Sequence, residues 1–153
     1  MEKRTDVASR VIRASEAAIY RALLDAEARR VWLPPKGMTG RFERFDPRAG
    51  GGYRMVLTYA NPTEATGKSS DNSDVVQARF LELVPNKRVV ESIDFESEDV
   101  AFAGTMTMTW VLTPAAGGAE GRVTAADVPI GISEEDHQAG MRSSLENLAA
   151  FVE

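Results

Sequence analysis

The segment "GTMTMTWVLT" at residues 104–113 alternates between apolar and polar side chains, with Val111 as the exception. Successive side chains of an extended strand point to opposite faces, so this strand would have one apolar face and one polar face. The apolar face carries Met106, Met108, Trp110 and Leu112. Such a strand fits a sheet that is covered on one side only, and it does not fit a parallel sheet buried on both faces.

Period-two patterns recur on both sides of this segment. A first strand is predicted near residues 5–13, and further strands are predicted for MTGRFERF, GYRMVLTY, DVVQARFLELV, RVVESIDFE and GRVTAADVP. The turns DPRAGG, PNK and PAAGGAE join these strands in pairs. Because consecutive strands joined by short turns pair antiparallel, we expect an antiparallel sheet of six to seven strands.

Two helical regions are predicted, one after the first strand and one at the end of the chain. Together with the strands they predict an α+β fold. Ser15 is a candidate N-cap for the first region, which contains a break or a second short helix between Asp25 and Leu33. The last helix is predicted from about Ser133 to Val152. The apolar stripe of this helix, which we expect to cover the sheet, comprises Met141, Leu145, Leu148 and Val152.

The composition narrows the classes of function. A chain of 153 residues with a formal net charge of −5 predicts one domain over residues 1–153 and neither nucleic acid nor a membrane as partner. The chain has no cysteine and one histidine, so we expect no disulfide, no zinc site and no metal or cofactor. It has no apolar leader and no apolar run of ~18 residues, which favours a cytoplasmic protein.

The inner face of the predicted sheet is rich in large, adaptable side chains. Methionines fill irregular space, and Trp110 and Tyr53 each add a polar tip to an apolar surface. This composition leaves two interpretations open, a solid core or a core with a pocket below the last helix. The alternation also turns Glu91 inward, where a carboxylate needs a partner or water; a register slip or a rim position is the alternative.

Four short motifs occur in a characteristic order and spacing. They are Trp32-Leu33-Pro34, the stretch 46–52 followed by an aromatic residue, the turn at Pro85, and the His-x-x-Gly opening of the last helix at His137. In this order they resemble the SRPBCC superfamily, whose members have a START-like, helix-grip fold. The nearest branch is the one named after the activator of a heat-shock chaperone's ATPase, alongside polyketide cyclase-like proteins.

The resemblance implies a curved antiparallel sheet that wraps a long C-terminal helix, with two short helices after the first strand. It also implies a deep apolar cavity between sheet and helix. Many relatives carry a tryptophan where this chain has Met141, which would widen or soften the cavity there. We further expect Gly140 to let the last helix approach the sheet closely.

The first functional hypothesis is binding of a small hydrophobic or amphipathic molecule, such as a lipid, a polyketide or an aromatic compound. The residues predicted to line the site are Trp32, Phe42, Tyr53, Met55, Ile93, Phe95, Met106, Met108, Trp110, His137, Met141 and Leu145. His137 or Glu91 would orient a polar end of the ligand.

The alternatives are an enzyme and a protein-binding role. A cyclase, dehydratase or hydrolase acting on a polyketide-like or aromatic substrate would use His137 and Glu91 as weak candidate acid and base groups. The sequence contains neither a Ser-His-Asp arrangement nor a metal site that would strengthen the enzyme hypothesis. A chaperone-cofactor or stress-response role is the third hypothesis. A homodimer and a lid formed by the polar loop 60–74 are two further expectations.

Overall fold

Seven strands and three helices make up the computed structural model, which describes residues 3–60 and 72–153. The strands are β1 (Arg4–Ile12), β2 (Met38–Asp46), β3 (Gly52–Tyr59), β4 (Ser73–Val84), β5 (Arg88–Phe95), β6 (Met106–Ala115) and β7 (Gly118–Val128). They form one sheet in the order β1-β7-β6-β5-β4-β3-β2, and every pairing is antiparallel. The prediction of an antiparallel sheet of six to seven strands is confirmed.

The sheet is curved, and three register irregularities contribute to the curvature. The pairing shifts between Arg4 and Asp6 in β1, between Phe42 and Arg44 in β2, and between Phe80 and Glu82 in β4. An extra residue in one strand bends that strand and increases its twist. The sheet can therefore close around a helix instead of lying flat.

One glycine allows β3 and β4 to approach each other. A Cβ atom at Gly52 would lie 2.0 Å from the backbone carbonyl oxygen of Ala78, so no larger residue fits there without moving the backbone. Gly52 immediately precedes Tyr53, whose side chain points to the inner face and is buried. This close contact therefore fixes where the Tyr53 ring enters the core.

Each helix begins directly after a residue that caps its N-terminus. α1 (Glu16–Leu23) is capped by Ser15, and α2 (Ala26–Trp32) is capped by Asp25, whose carboxylate accepts from the Ala28 amide at 3.0 Å. The break near Asp25 is thus confirmed as a second short helix. α3 (Glu134–Val152) starts after Ser133, whose hydroxyl accepts from the Asp136 amide at 3.1 Å.

Helix α3 covers the inner face of the sheet with the predicted stripe. Met141, Leu145 and Leu148 are buried, and Val152 is partly buried against the core. Full burial of a leucine stabilises the fold by about 1.5–3 kcal/mol. The stripe therefore holds α3 in the grip of the sheet, as the resemblance implies.

The segment between α2 and β2 is tied to α3 by three hydrogen bonds. The Ser144 hydroxyl donates to the Leu33 carbonyl at 2.7 Å, and the Asn147 amide donates to the Pro34 carbonyl at 3.1 Å. The third bond runs from the Lys36 amide to the Ser143 hydroxyl at 2.9 Å. α3 and the start of β2 are therefore held in one fixed arrangement.

Gly140 does not play the role that the sequence suggested. A Cβ atom placed there would meet only the Pro35 ring within 4 Å, at 3.9 Å, so the glycine faces an open flank of α3 instead of the sheet. The expected close approach of helix and sheet at this residue is therefore wrong. Close packing is made instead by the large side chains of the buried stripe.

The predicted lid lies mostly beyond what the structure describes. Residues 61–71 of the loop 60–74 fall outside the described ranges, whereas Ser73 and Asp74 already belong to β4. Within the described ranges, no helix has both the length and the apolar character that crossing a membrane requires.

Candidate functional site

The twelve residues predicted to line a ligand site all lie on elements that enclose the interior of the grip. Eight of them are buried: Trp32, Tyr53, Met55, Ile93, Met106, Trp110, Met141 and Leu145. The other four are half-buried: Phe42, Phe95, Met108 and His137. The inner face predicted from the alternation is therefore present. Its eight buried residues and its four half-buried residues differ in how fully other side chains cover them.

A buried cluster of charged and hydroxyl groups occupies one part of the interior. The Arg29 guanidinium, on α2, donates to both carboxylate oxygens of Glu91, at 2.6 Å from Nη2 and 3.3 Å from Nη1. The Tyr53 hydroxyl donates to Oε1 of the same carboxylate at 2.6 Å. Arg29 has no exposed surface and Glu91 is 1% exposed, so this is an ion pair removed from water.

Aromatic rings surround the guanidinium. Its central carbon lies 5.5 Å from the centre of the Trp32 ring, 5.1 Å from that of Tyr53 and 5.7 Å from that of Phe80. Trp32 also meets Trp110 edge-on, with ring centres 5.3 Å apart. A guanidinium is attracted to ring faces at such distances, and the attraction grows when water is excluded.

The electrostatics of this cluster keep Arg29 charged. Burial by itself lowers the pKa of Arg29, but the charge of Glu91, the Tyr53 oxygen and the hydrogen bonds to both residues together outweigh burial and hold the pKa above its usual value. Burial and the nearby Glu91 carboxylate raise the pKa of Tyr53 well above its ordinary range, so its hydroxyl stays protonated. Glu91 thus points inward. The two alternatives considered for it, a register slip of its strand and a position at the rim of the sheet, do not apply.

The same cluster determines how much space the interior offers. Both oxygens of Glu91 are engaged by Arg29 and Tyr53. This part of the interior is occupied by the buried Arg29 side chain and the rings around it. We call the arrangement of Arg29, Glu91 and Tyr53 the buried triad.

Met108, in the middle of the inner face, is less completely covered than the residues of the buried triad. Its cross-strand neighbours are Glu91 and Ala125, and its neighbours along β6 are Met106 and Trp110. All four of these residues are buried, yet Met108 is only half-buried. Solvent therefore reaches Met108 from the side of α3 and not across the sheet.

Further apolar side chains of the inner face are also incompletely covered. Phe42 pairs with Met55, and Phe95 pairs with Val76, so that these residues form one row across β2 to β5. The half-buried apolar residues of the inner face, which we call the open face, include Phe42, Leu57, Phe95 and Met108. They mark where α3 does not seal the sheet.

A histidine and a carboxylate pair beside the open face. His137 Nδ1 donates to Asp6 Oδ2 at 2.8 Å, and the Arg4 side chain donates to Asp6 Oδ1 at the same distance. Burial by itself raises the pKa of Asp6, but the hydrogen bonds from Arg4 and His137 outweigh it and lower the pKa below its usual 3.8. A carboxylate on Nδ1 makes Nε2 the basic nitrogen of a neutral imidazole.

A second polar pair is formed by Tyr59 and Asp74. Asp74 is buried on the inner face opposite Leu57, and it is hydrogen-bonded to Tyr59. Burial and the carboxylates of Asp74 and Asp136 raise the pKa of Tyr59. Asp136 lies in the first turn of α3, so this pair stands near the N-terminal end of that helix.

Two depressions lie on the outer surface, away from these groups. One, of about 370 Å³, is formed by α1 and the β4–β5 turn, and the other, of about 530 Å³, lies between α1, α2 and the C-terminal end of α3. None of the twelve predicted residues lines either depression. In the described part of the chain, no group of three or more histidine or carboxylate side chains is placed to hold a metal ion.

Sequence reasoning missed Arg29 and Asp6. Arg29 stands in an Arg-Arg pair on a short helix, where a charged residue is normally expected at the surface. Asp6 could have been found, because it shares the inner face of β1 with Ala8 and Ile12. An inward carboxylate on a strand is the same signal that identified Glu91.

The curved sheet, the gripped C-terminal helix and the partly open interior define a helix-grip protein of the SRPBCC superfamily. Within that superfamily, residues 13–153 match the family model of the Activator of Hsp90 ATPase homolog 1-like proteins. The match covers most of the chain, so the chain belongs to this family. A search of curated proteins finds no match.

Several solved structures share the fold. A crystal structure of a Chromobacterium violaceum protein is 32% identical, with a TM-score of 0.85 over 97% of this chain and 96% of the other. A Mesorhizobium loti protein has a TM-score of 0.73 at 23% identity, over 97% and 96% of the two chains. An AHSA1-like protein from Aeromonas hydrophila has a TM-score of 0.71 at 15% identity, over 97% and 92%. The latter two support the fold alone.

The buried triad leads to a prediction about stability. In Glu91→Gln the Arg29 cation loses its carboxylate, and we expect a destabilisation of about 3–5 kcal/mol because an uncompensated charge is left in the core. The double variant Arg29→Met, Glu91→Leu should be more stable than either single variant. Urea unfolding followed by tryptophan fluorescence measures both differences.

The matched control for this pair is Glu82→Gln, since Glu82 pairs with Arg88 at the surface, where both side chains are about half exposed. Its unfolding midpoint should stay close to that of the wild type. If Glu91→Gln proved no more harmful than Glu82→Gln, the buried triad would not hold the core together.

Asp6 leads to a prediction about pH. Its pKa is lower in the folded chain than its usual 3.8, so the ionised carboxylate stabilises the fold above that pH. Asp6→Asn should therefore lose about 1.5–3 kcal/mol near pH 6, the range for hydrogen bonds to charged groups. The difference from the wild type should shrink as the pH falls below 3.8. Urea unfolding at a series of pH values tests this.

Glu27→Gln is the control for the pH series, because Glu27 pairs with Arg30 in an exposed i,i+3 arrangement. Its unfolding curve should track that of the wild type at every pH. A constant gap between Asp6→Asn and the wild type down to pH 2 would contradict the role assigned to the Asp6 charge.

Proposed function

We propose that this chain binds a small apolar or amphipathic molecule at the open face of the grip. The observation that carries the proposal is the half-buried Met108, whose four neighbours in the sheet are all buried. Together with Phe42, Leu57 and Phe95 it leaves incompletely covered apolar surface on the inner face, which is typical of ligand-binding sites.

The composition of the open face favours an adaptable site. Met108, Phe42 and Phe95 offer a thioether and two rings, which tolerate ligands of different shapes. Burial of ~200 Å² of ligand surface would contribute about 5 kcal/mol before the entropy cost of binding. This corresponds to a modest affinity, which polar contacts at the ends of the site would improve.

Two polar pairs are placed to make such contacts. Asp6 holds the imidazole of His137 beside the apolar surface, and Tyr59 with Asp74 stands near the first turn of α3. The buried triad is not available in the same way, because the Glu91 oxygens are already engaged. Of the two polar residues suggested by the sequence, Glu91 is therefore the weaker candidate to orient a ligand.

The proposal is tested with the neutral fluorescent ketone 6-propionyl-2-(dimethylamino)naphthalene, whose emission shifts to the blue in apolar surroundings. We expect saturable binding to the wild type. In Met108→Gln a polar side chain of similar length replaces the half-buried thioether of the open face, and affinity should fall at least tenfold. Met108 is only half-buried, so this variant should still fold.

Thr109→Gln is the matched control, because Thr109 is the next residue of β6 and its side chain points to the opposite face of the sheet. Its affinity for the probe should equal that of the wild type. Absence of saturable binding to the wild type, or an equal effect of the two glutamines, would count against a ligand site at the open face.

A second candidate function, acid–base catalysis on an aromatic or polyketide-like substrate, is favoured by the Asp6–His137 pair. A carboxylate that orients an imidazole is a common arrangement for a general base, and His137 is the only histidine of the chain. The chaperone-cofactor role, the homodimer and the cytoplasmic location stay predictions.

The catalytic candidate is tested with 2-naphthyl acetate, an apolar aromatic ester. If His137 acts as a base, His137→Gln should lower the hydrolysis rate by about 10²–10⁴-fold while the far-ultraviolet circular dichroism is unchanged. Hydrolysis by the wild type at the rate of buffer alone, or equal rates in both proteins, would exclude His137 as the base for this ester.

A further inference from the structure

Three buried N–H donors have no hydrogen-bond acceptor among the described residues. One is Nη2 of Arg4, beside Asp6, and the other two, Nε of Arg29 and Nε1 of Trp110, belong to the cluster of rings around the buried triad. The indole of Trp32 is different, because its Nε1 donates to the Ala22 carbonyl at 2.8 Å. Buried donors are nearly always paired with protein, water or ligand, so two unpaired donors in one region point to a missing acceptor.

Both donors belong to residues grouped around one point of the inner face. Trp110 follows Met108 by two positions on the inner face of β6, and Glu91, which holds Arg29, is the cross-strand neighbour of Met108. The Trp32 ring links them, being 5.3 Å from Trp110 and 5.5 Å from the Arg29 guanidinium. The half-buried Met108 is therefore a neighbour in the sheet both of Trp110 and of the residue that holds Arg29.

We propose that this point of the interior recognises a neutral carbonyl oxygen of an apolar ligand, an inference that rests on the proposed function. Both unpaired groups are donors, so their partner is an acceptor. The charge of Arg29 is already balanced by Glu91 at 2.6 Å, so a second carboxylate buried here would itself have no cation to compensate it. A ketone, ester or amide oxygen satisfies the donors without that repulsion.

Met108 controls access to the two donors. Neither donor atom has appreciable surface that water can touch, so the Met108 side chain has to move aside before an acceptor can reach them. An unbranched thioether with three rotatable bonds moves at little cost. The ligand therefore replaces the end of the Met108 side chain and gains hydrogen bonds that the thioether makes only weakly.

The test compares three naphthalenes that differ only at one substituent: 2-acetylnaphthalene, 2-isopropylnaphthalene and 2-naphthoate. Binding is measured by titration, and the two indole N–H signals are followed by ¹H–¹⁵N correlation NMR on uniformly labelled protein. Trp110→Phe assigns the signals and removes one donor while keeping a ring. Trp32 is the internal control, because its indole is already hydrogen-bonded to Ala22.

We expect the ketone to bind about tenfold more tightly than the hydrocarbon, the size of one or two net hydrogen bonds. The anion should bind more weakly than the ketone. The ketone alone should shift the Trp110 indole proton downfield and leave the Trp32 signal in place. In Trp110→Phe the preference for the ketone should shrink, while binding of the hydrocarbon changes by less than about twofold.

The outcomes separate the inference from the proposed function. Equal binding of all three compounds, or tighter binding of the anion, would overturn the carbonyl site and leave the ligand-binding proposal standing. A Trp110 signal that is already downfield in the free protein and does not move would show that a buried water holds the site, which also overturns the inference. If none of the three binds, both proposals fall. Should Trp110→Phe not fold, the NMR readout on the wild type decides alone.

Discussion

The structure depends most on the buried Arg29 guanidinium. A cation in the core is tolerated only with a partner, and Glu91 supplies that partner from β5 while Tyr53 supplies a third contact from β3. Through these contacts the three residues join α2 to strands β3 and β5 of the sheet. Since each partner is costly to bury alone, the triad fixes the position of the short helix relative to the strands more strictly than apolar contacts would.

This constraint divides the interior into two unequal parts. Around Arg29 the rings of Trp32, Tyr53 and Phe80 pack closely, and the wall there is stiff because the Glu91 carboxylate must keep its contacts with Arg29 and Tyr53. Around Met108 the side chains are flexible and half-buried. A helix-grip fold can therefore be firmly packed at one place and adaptable at another, because charge pairing organises the first and only dispersion and hydrophobic contacts organise the second.

The sequence predicted those features that depend on local pattern. Period-two alternation identified the strands and turned Glu91 inward, and the capping residues Ser15 and Ser133 marked two helix starts correctly. Long-range pairing was out of reach, because Arg29 is 62 residues from Glu91 and Asp6 is 131 residues from His137. The prediction that Gly140 lets α3 approach the sheet was wrong for a related reason. A glycine looks the same in the sequence whether it faces a sheet or an open side of its helix.

The electrostatics of the open face restrict ligands further. Asp74 and Asp136 both act on Tyr59, and the Asp6 carboxylate beside His137 is paired with Arg4. The polar groups bordering the apolar surface are thus carboxylates or groups tied to carboxylates, on a chain whose formal net charge is −5. If the open face is the ligand site that we propose, an anionic ligand would meet carboxylates at its rim and would find no unpaired cation in the interior, whereas a neutral molecule meets neither penalty. Several groups, and not one residue, would then disfavour anions.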